Sequence, residues 1–217
     1  MRVLGLIPAR GGSKSIPLKN LTPFLGKPLI DHVLDAAFGA GLDVVVSTEH
    51  PAIRAHCLKR GADVHDRPQD IADRGEIRET IRDFVKSHAC DAIVLLQPTS
   101  PFVMPGHIRQ VVTELSLSGA NSAQTVIECP HAAHEWNQRA IDGGCARFVR
   151  TDRPTNKQAK PKRYLFGNVV AFTVAGFIAQ NEVFAQPSIP IPIPRLYGFD
   201  LDGPEDVPIG EKLSALL

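Results

Sequence analysis

The residues best suited to chemistry come early in the chain. Arg10, Gly11, Gly12, Lys14 and Lys19 fall within ten positions, directly after a short apolar run (Val3, Leu4, Leu6, Ile7) that Pro8 ends. Two adjacent glycines remove the side chains that would hold a ligand off the backbone, so main-chain N–H groups can approach anionic oxygens. Arginine supplies a planar fork that grips two oxygens, and lysine a mobile point charge. No acid occurs among residues 1–30 to neutralise them. Residues 3–20 therefore predict a strand feeding a cradle for a polyphosphate, with a solvated basic turn as the alternative that loop composition leaves open. Spacing excludes two better-known phosphate loops, because the segment contains neither G-x-x-x-x-G-K-[ST] nor G-x-G-x-x-G.

A second group of candidates lies at the far end. Residues 196–201 predict a final strand, and alternation along it places Asp200 and Asp202 on one side as hard oxygen ligands suited to Mg²⁺. Pro204 can open a closing helix, and Asp202 as the cap of that helix is the competing reading. Gln97, Thr99 and Ser100 follow a greasy strand in Leu-Leu-Gln-Pro-Thr-Ser-Pro, a pattern that also describes a rigid turn with a helix cap. His131, His134 and Glu135 sit together without a visible further ligand, which disfavours a metal there. Arg153, Lys157, Lys160, Lys162 and Arg163 crowd one stretch without an acid, either as a solvated loop or as an arm that meets a carboxylate or triphosphate.

The periodicities supply a frame for these residues. Ile30, Val33, Leu34, Ala37 and Phe38 share one helical face, with Gly39 and Gly41 after them. Val44, Val45 and Val46 then form a β-branched run that ends at Ser47-Thr48-Glu49. The alternation continues with helices over 52–59, from 76 and around 108–115, and with strands over 62–65, 92–96 and 123–127. This is an α/β pattern, a Rossmann-like, mostly parallel sheet flanked by helices. Ligands of such sheets bind beyond the carboxyl ends of the strands, where loops 8–20, 47–50 and 97–101 fall. An insertion over about 128–165, which holds the single tryptophan, Trp136, is expected to leave the sheet. Residues 166–174 read as another strand. Prolines alternate with isoleucines over 187–194, which predicts an extended, buried connector.

At 217 residues the chain can bury a sizeable core as one domain, 1–217. An apolar fraction of 43%, a charged fraction of 22% and a net charge of +1 argue against disorder and against a general nucleic-acid binder. No apolar run approaches the roughly eighteen residues of a membrane span, and the amino terminus enters a strand without a signal-peptide pattern. A soluble, cytoplasmic protein with no membrane partner is the expectation. Cys57, Cys90, Cys129 and Cys145 are far apart, which suits reduced structural thiols.

The string IPARGGSKSIPLKN resembles the amino-terminal signature of the CMP-sugar synthetases (acylneuraminate cytidylyltransferases), which activate nine-carbon acid sugars of the sialic, pseudaminic and legionaminic types. The likeness continues in order through Ser47-Thr48-Glu49, Arg67-Pro68, L-Q-P-T-S-P and the D-x-D-x-x-x-D ending FDLDGPED. The resemblance implies that CTP and a nonulosonic acid react to give a CMP-sugar and pyrophosphate. It places Ala9, Arg10, Gly12, Asn20 and Arg67 around the nucleotide and turns Gln97 and Thr99 toward the sugar acid. Arg10, Lys14 and Lys19 would then neutralise charge as pyrophosphate leaves, and Asp200 and Asp202 would hold Mg²⁺. It further implies a homodimer in which the insertion packs on the second subunit. The sequence departs from the family at Glu49 (usually Asp), Val103 (commonly Arg), Leu165 (Arg), Asn137 (Lys) and Gly167-Asn168 (usually Asn-Gly). Departures on the sugar side lead us to expect a modified nonulosonic acid rather than N-acetylneuraminic acid. The alternatives are a related nucleotidyltransferase and a non-catalytic nucleotide-binding module.

Overall fold

The computed structural model describes the chain except for residues 14, 153–155 and 157–159, so Lys14, Arg153 and Lys157 lie outside the described residues. The chain begins with β1 (Val3–Pro8) and a tight hairpin of β2 (Pro23–Phe24) and β3 (Lys27–Pro28). Alternation then sets in with α1 (Leu29–Gly39), β4 (Asp43–Thr48), α2 (Pro51–Lys59), β5 (Asp63–Asp66), α3 (Gln69–Arg74), α4 (Ile77–Ser87), β6 (Ala92–Leu96), α5 (Pro105–Ser118) and β7 (Ser122–Glu128). The remaining elements are β8 (Arg139–Asp142), β9 (Cys145–Phe148), β10 (Tyr164–Thr173), α6 (Val174–Gln180), β11 (Ser188–Pro192) and α7 (Asp206–Ser214).

One seven-stranded sheet runs in the order β11-β7-β10-β6-β1-β4-β5. All neighbours are parallel except β10, which opposes both β6 and β7. The reversal follows from connectivity. The chain leaves β7 into the insertion and returns from the same edge, a path that delivers an antiparallel neighbour.

Every residue of β6 is buried, as a strand covered on both faces requires. Ala92, Val94 and Leu96 join Ile30, Val33 and Leu34 of α1, Ile53 of α2 and Ile108 and Val111 of α5 in the larger core. Ile93 and Leu95 face the other way, onto Ile81 and Phe84 of α4 and Phe177 of α6. A smaller cluster of Phe24, Leu29, Phe102 and Leu201 ties the β2–β3 hairpin to the carboxyl-terminal segment.

Three expectations need correction. Residues 196–201 are not a strand: Arg195–Gly198 forms a 3-10 turn, and the segment after it is held by the Leu201 N–H donating to Thr99 O at 2.8 Å. Residues 187–194 are more than a connector, because β11 adds to the sheet edge beside β7, paired from Ser188↔Ser122 to Pro192↔Val126. Alternate prolines suit an edge strand, where one row of N–H groups has no partner to meet. The closing helix also starts at Asp206, beyond Pro204.

The insertion leaves the sheet through short turns at His131–Ala133 and Glu135–Asn137 and forms the exposed β8–β9 hairpin. Its return into β10 needs a local adjustment, since the register on β7 shifts between Phe166 and Val170. Gly167 fits there because a Cβ would lie 2.6 Å from Thr125 Oγ1. That buried hydroxyl accepts the N–H groups of Asn168 (2.9 Å) and Val169 (3.1 Å) and donates to Asn168 Oδ1 (3.0 Å). The Gly167-Asn168 order therefore serves the bulge, with Asn168 wholly buried.

Replacing Thr125 with Val keeps the volume and strands both N–H groups. At roughly 1–3 kcal/mol for each orphaned buried group, the expected loss is about 2–6 kcal/mol, read as a lower urea midpoint at unchanged slope. An unchanged midpoint would deny the hydroxyl this role.

Candidate functional site

The loops leaving β1, β5 and β6 converge with the carboxyl-terminal segment on one cleft of about 560 Å³. It gathers Arg10, Lys19, Asn20, Arg67, Gln97, Thr99, Asp200 and Asp202, all of which the sequence singled out. Ala9 and Gly12 contribute differently. Ala9 is fully buried and its N–H donates to Ser47 O at 2.9 Å, continuing the β1–β4 ladder by one residue. Gly12 is open, with nothing within 4 Å of where a Cβ would stand.

The glycine loop is clamped to the end of β4. The Gly11 N–H donates to Glu49 Oε1 at 2.6 Å, so it is not free to meet an anion as the two-glycine pattern predicts. A Cβ on Gly11 would lie 2.4 Å from His50 Cδ2, so close packing on His50 is what requires glycine at this position. The other oxygen of Glu49 accepts from Arg67 Nη2 at 2.8 Å, with side-chain exposures of 9% and 5% for the pair. Desolvation pushes the Glu49 carboxyl up, but the Gly11 N–H, its own backbone N–H and Arg67 together outweigh burial and leave it below its ordinary value. Arg67 Nε is buried without a hydrogen-bond partner. A buried unsatisfied donor beside a cleft is a place for a ligand's acceptor.

The remaining cations divide the work. Among the described residues the Arg10 guanidinium has no hydrogen-bond or ion-pair partner. Its backbone is fixed instead, because Asn20 Nδ2 donates to Arg10 O at 2.9 Å. Gly75, in the left-handed region at φ 69°, lies beneath it: a Cβ there would come within 2.9 Å of Arg10 Nη1. Lys19 is turned toward the carboxyl-terminal segment, donating to Leu201 O at 3.0 Å and Asp202 O at 3.3 Å and lying 3.6 Å from Asp202 Oδ1. Ser15 Oγ donates to Asp202 O at 2.6 Å and closes the same seam.

The two aspartates reach the cleft without a strand beneath them. Leu201 is buried between them, so extended backbone still sends Asp200 and Asp202 to the same side. Asp202 is not a helix cap. The cap position of α7 is Glu205, which makes no side-chain capping bond, and the Asp206 carboxylate reaches back to accept the N–H groups of Asp202 and Gly203, each at 2.8 Å. Desolvation raises the Asp200 carboxyl above its ordinary value; a hydrogen bond from Thr99 opposes the rise and the charge of Asp202 adds to it.

Other clusters have structural roles. Ser47 Oγ lies 3.0 Å from His65 Nδ1, and His65 Nε2 lies 3.3 Å from Asp83 Oδ2, in the order of a nucleophilic triad. Ser47 is wholly buried, however, and desolvation lowers the His65 pKa against the opposing charge of Asp83, so these hydrogen-bonded residues brace the ends of β4 and β5. Burial, with the charge of Asp31, pushes the Cys57 thiol up to about 12 and makes it inert. His134 is engaged at both ring nitrogens, donating to Pro161 O and accepting from the Trp136 N–H. Val103 is buried in the larger core and does not face the cleft. Sequence reasoning missed the apolar wall of Ile77, Leu95, Phe166, Val170, Val183 and Phe184, because its members come from three separate elements and the loop after α6. It also missed Gly75, for which the only signal was a glycine after a short, unrecognised helix.

Because its surroundings disfavour the carboxylate, Asp200→Asn should raise the melting temperature of the ligand-free protein near pH 7. The group's folded pKa is raised, so wild type loses stability as pH climbs past the ordinary value of 3.8. The advantage of the variant should therefore vanish toward acid pH. A variant that melts at or below wild type at pH 7 would refute the strain.

Comparison with known proteins places the chain. Residues 4–140 match the family model described as Cytidylyltransferase. The chain is 31% identical to the CMP-N,N'-diacetyllegionaminic acid synthase of Legionella pneumophila, over 100% of this chain and 97% of that protein. It is 30% identical to N-acylneuraminate cytidylyltransferase A of Danio rerio, over 97% of this chain and 50% of that protein. The chain thus spans about half the length of several curated relatives it matches. A solved CMP:2-keto-3-deoxy-manno-octonic acid synthetase, complexed with CTP, shares the fold at a TM-score of 0.76 and 17% identity, covering 100% of this chain and 99% of that one. Because the family match runs through the glycine loop, the Arg67 turn and the Gln97 turn, and the Legionella relative is matched over nearly its whole length, the chain belongs to the cytidylyltransferase family.

Proposed function

We propose that the protein transfers a cytidylyl group from CTP to a nonulosonic acid, giving a CMP-sugar and pyrophosphate. The observation that carries this reading is the make-up of the cleft: an unpartnered Arg10 and the cradle beside it, a carboxylate pair, and an apolar wall. Arg10, without a side-chain partner among the described residues, suits the triphosphate. Arg67 has its charge balanced by Glu49 and its Nε unpaired, which supports a neutral acceptor on the base or ribose. Ala9, Gly12 and Asn20 shape the loop around the nucleotide. Gln97 and Thr99, at the mouth of β6, suit the sugar acid.

In the reaction the anomeric hydroxyl oxygen attacks the α-phosphorus, the bond from that phosphorus to the pyrophosphate oxygen breaks, and the hydroxyl proton passes to a carboxylate or to solvent. Such a transfer asks little covalent chemistry of the protein. Its residues align two anions and offset the charge that develops on the leaving group. Asp200 and Asp202 fit Mg²⁺, since a cation would relieve the disfavoured Asp200 carboxylate, and two carboxylates leave positions for water and phosphate oxygens. Bound there, the ion would neutralise phosphate charge.

The apolar wall supports a sugar acid carrying acyl or deoxy groups, of the legionaminic or pseudaminic type, over a more hydroxylated one. A homodimer is supported by the exposed apolar residues of the insertion, Ile141 at 83% and Val149 at 55%. Free cysteines support a reducing compartment such as the cytoplasm. Among the described residues no helix is long and apolar enough to cross a membrane.

Pyrophosphate release from CTP, scanned over acid sugars, tests the proposal. Legionaminic- or pseudaminic-type acids should turn over faster than N-acetylneuraminic acid, and the reverse order would reject the substrate class. Arg10→Ala should lower kcat by roughly a hundredfold, the equivalent of about 3 kcal/mol for one preorganised contact to developing charge. Asp202→Asn should lose most activity, with partial recovery at high Mg²⁺. Near-normal activity and unchanged Mg²⁺ dependence in both Asp200→Asn and Asp202→Asn would reject the metal pair.

A further inference from the structure

We infer that Glu49 is a positioning residue of the nucleotide site, acting through Gly11 and Arg67 and touching no substrate itself; the inference rests on the cytidylyl-transfer reading above. One carboxylate joins two parts of the site that come from different strands. Oε1 accepts the Gly11 N–H at 2.6 Å and Oε2 accepts from Arg67 Nη2 at 2.8 Å. Both contacts are charge-assisted and sheltered from water, so each is stronger than an exposed pair of the same kind. The backbone on either side is also fixed, because Ala9 and Arg67 donate their N–H groups to Ser47 O (2.9 Å) and Thr48 O (3.1 Å).

The span decides why glutamate stands here. The carboxylate must reach across from the end of β4 to the glycine loop on one side and to the end of β5 on the other. Aspartate, the residue that the family resemblance leads one to expect, is one methylene shorter and would keep one of the two contacts at the expense of the other. The unpaired group then completes the assignment. With Nη2 held by Glu49, Arg67 keeps Nε buried and unpaired in a side chain that lines the cleft, poised for an acceptor from the nucleotide. The same carboxylate lays Gly11 against His50 and leaves Gly12 open beyond it. Loop and arginine are thus set before the nucleotide arrives, the arrangement that reduces the ordering cost of binding.

Glu49→Gln and Glu49→Asp, with calorimetric CTP titration beside steady-state kinetics, test the assignment. The glutamine amide can still accept from Gly11 but must turn its NH₂ toward the guanidinium, donor against donor. CTP affinity and KM for CTP should worsen by roughly tenfold or more, about the effect of one charge-assisted hydrogen bond. KM for the sugar acid should stay near wild type. Glu49→Asp, which keeps the charge, should fall between. Wild-type CTP affinity in Glu49→Gln overturns the inference, as does an equal loss toward both substrates with a collapsed melting temperature, which would mark a merely structural role. If wild type itself fails to bind CTP, the cytidylyl-transfer reading falls separately. Glu49 is then judged by exchange of the Gly11 amide and Arg67 Nε protons: faster exchange in Glu49→Gln supports positioning, and unchanged exchange overturns it.

Discussion

β1 is held between two parallel partners, and that double ladder constrains everything at the cleft. Its residues pair with β4 from Leu4↔Asp43 to Pro8↔Ser47, and with β6 from Val3↔Ala92 to Leu6↔Leu95. A slip of one residue would turn Leu4 and Leu6 out of one core and Ile7 out of the other, so the register has no competitor. With the register set, the chain must pass from a fully paired strand to open solvent within residues 9–12. The end of β4 receives it. Ser47, Glu49 and His50 each meet it, by a carbonyl, a carboxylate and a ring surface respectively.

Burying Glu49 with Arg67 is tolerable only because extra donors help. Two charges withdrawn from water lose more than their mutual attraction returns unless further hydrogen bonds are made. The Gly11 N–H supplies one for the carboxylate. The arginine is less well served, since its Nε has nothing to donate to. Asp200 is different, being exposed and accepting hydrogen bonds from Thr99 and Ser100, though desolvation still raises its carboxyl. An unpaired arginine donor beside a cleft, in a molecule whose sheet is otherwise well paired, is one way in which stability is exchanged for a ready site.

The sequence showed most of the frame because its strongest signals are periodic. β6 is an unbroken apolar run and α1 places five apolar residues on one face, and neither pattern has a rival at that length. Short or proline-bearing elements were less readable. The six residues of α3 carry too little pattern to be seen, and the prolines of β11 read as a connector because their edge position is a tertiary fact. The carboxylate pair was found by a reason that was only half right: alternation holds through buried Leu201, but no strand is present. Glu49 was visible as a departure, while its two bonds depend on strand ends brought together by the sheet, which no local window contains.

The path between β7 and β10 has a consequence for how such a molecule can change. That connection departs and re-enters at one side of the sheet, and the slack at Gly167 absorbs the mismatch where it returns. Neither the ladders around β1 nor the covering helices depend on how many residues lie outside. The entropic cost of a longer excursion grows only with the logarithm of its length. This is therefore the point at which length can be gained, lost or exchanged most cheaply, so that new surface can be tried while the half of the molecule built on the glycine loop is left unedited.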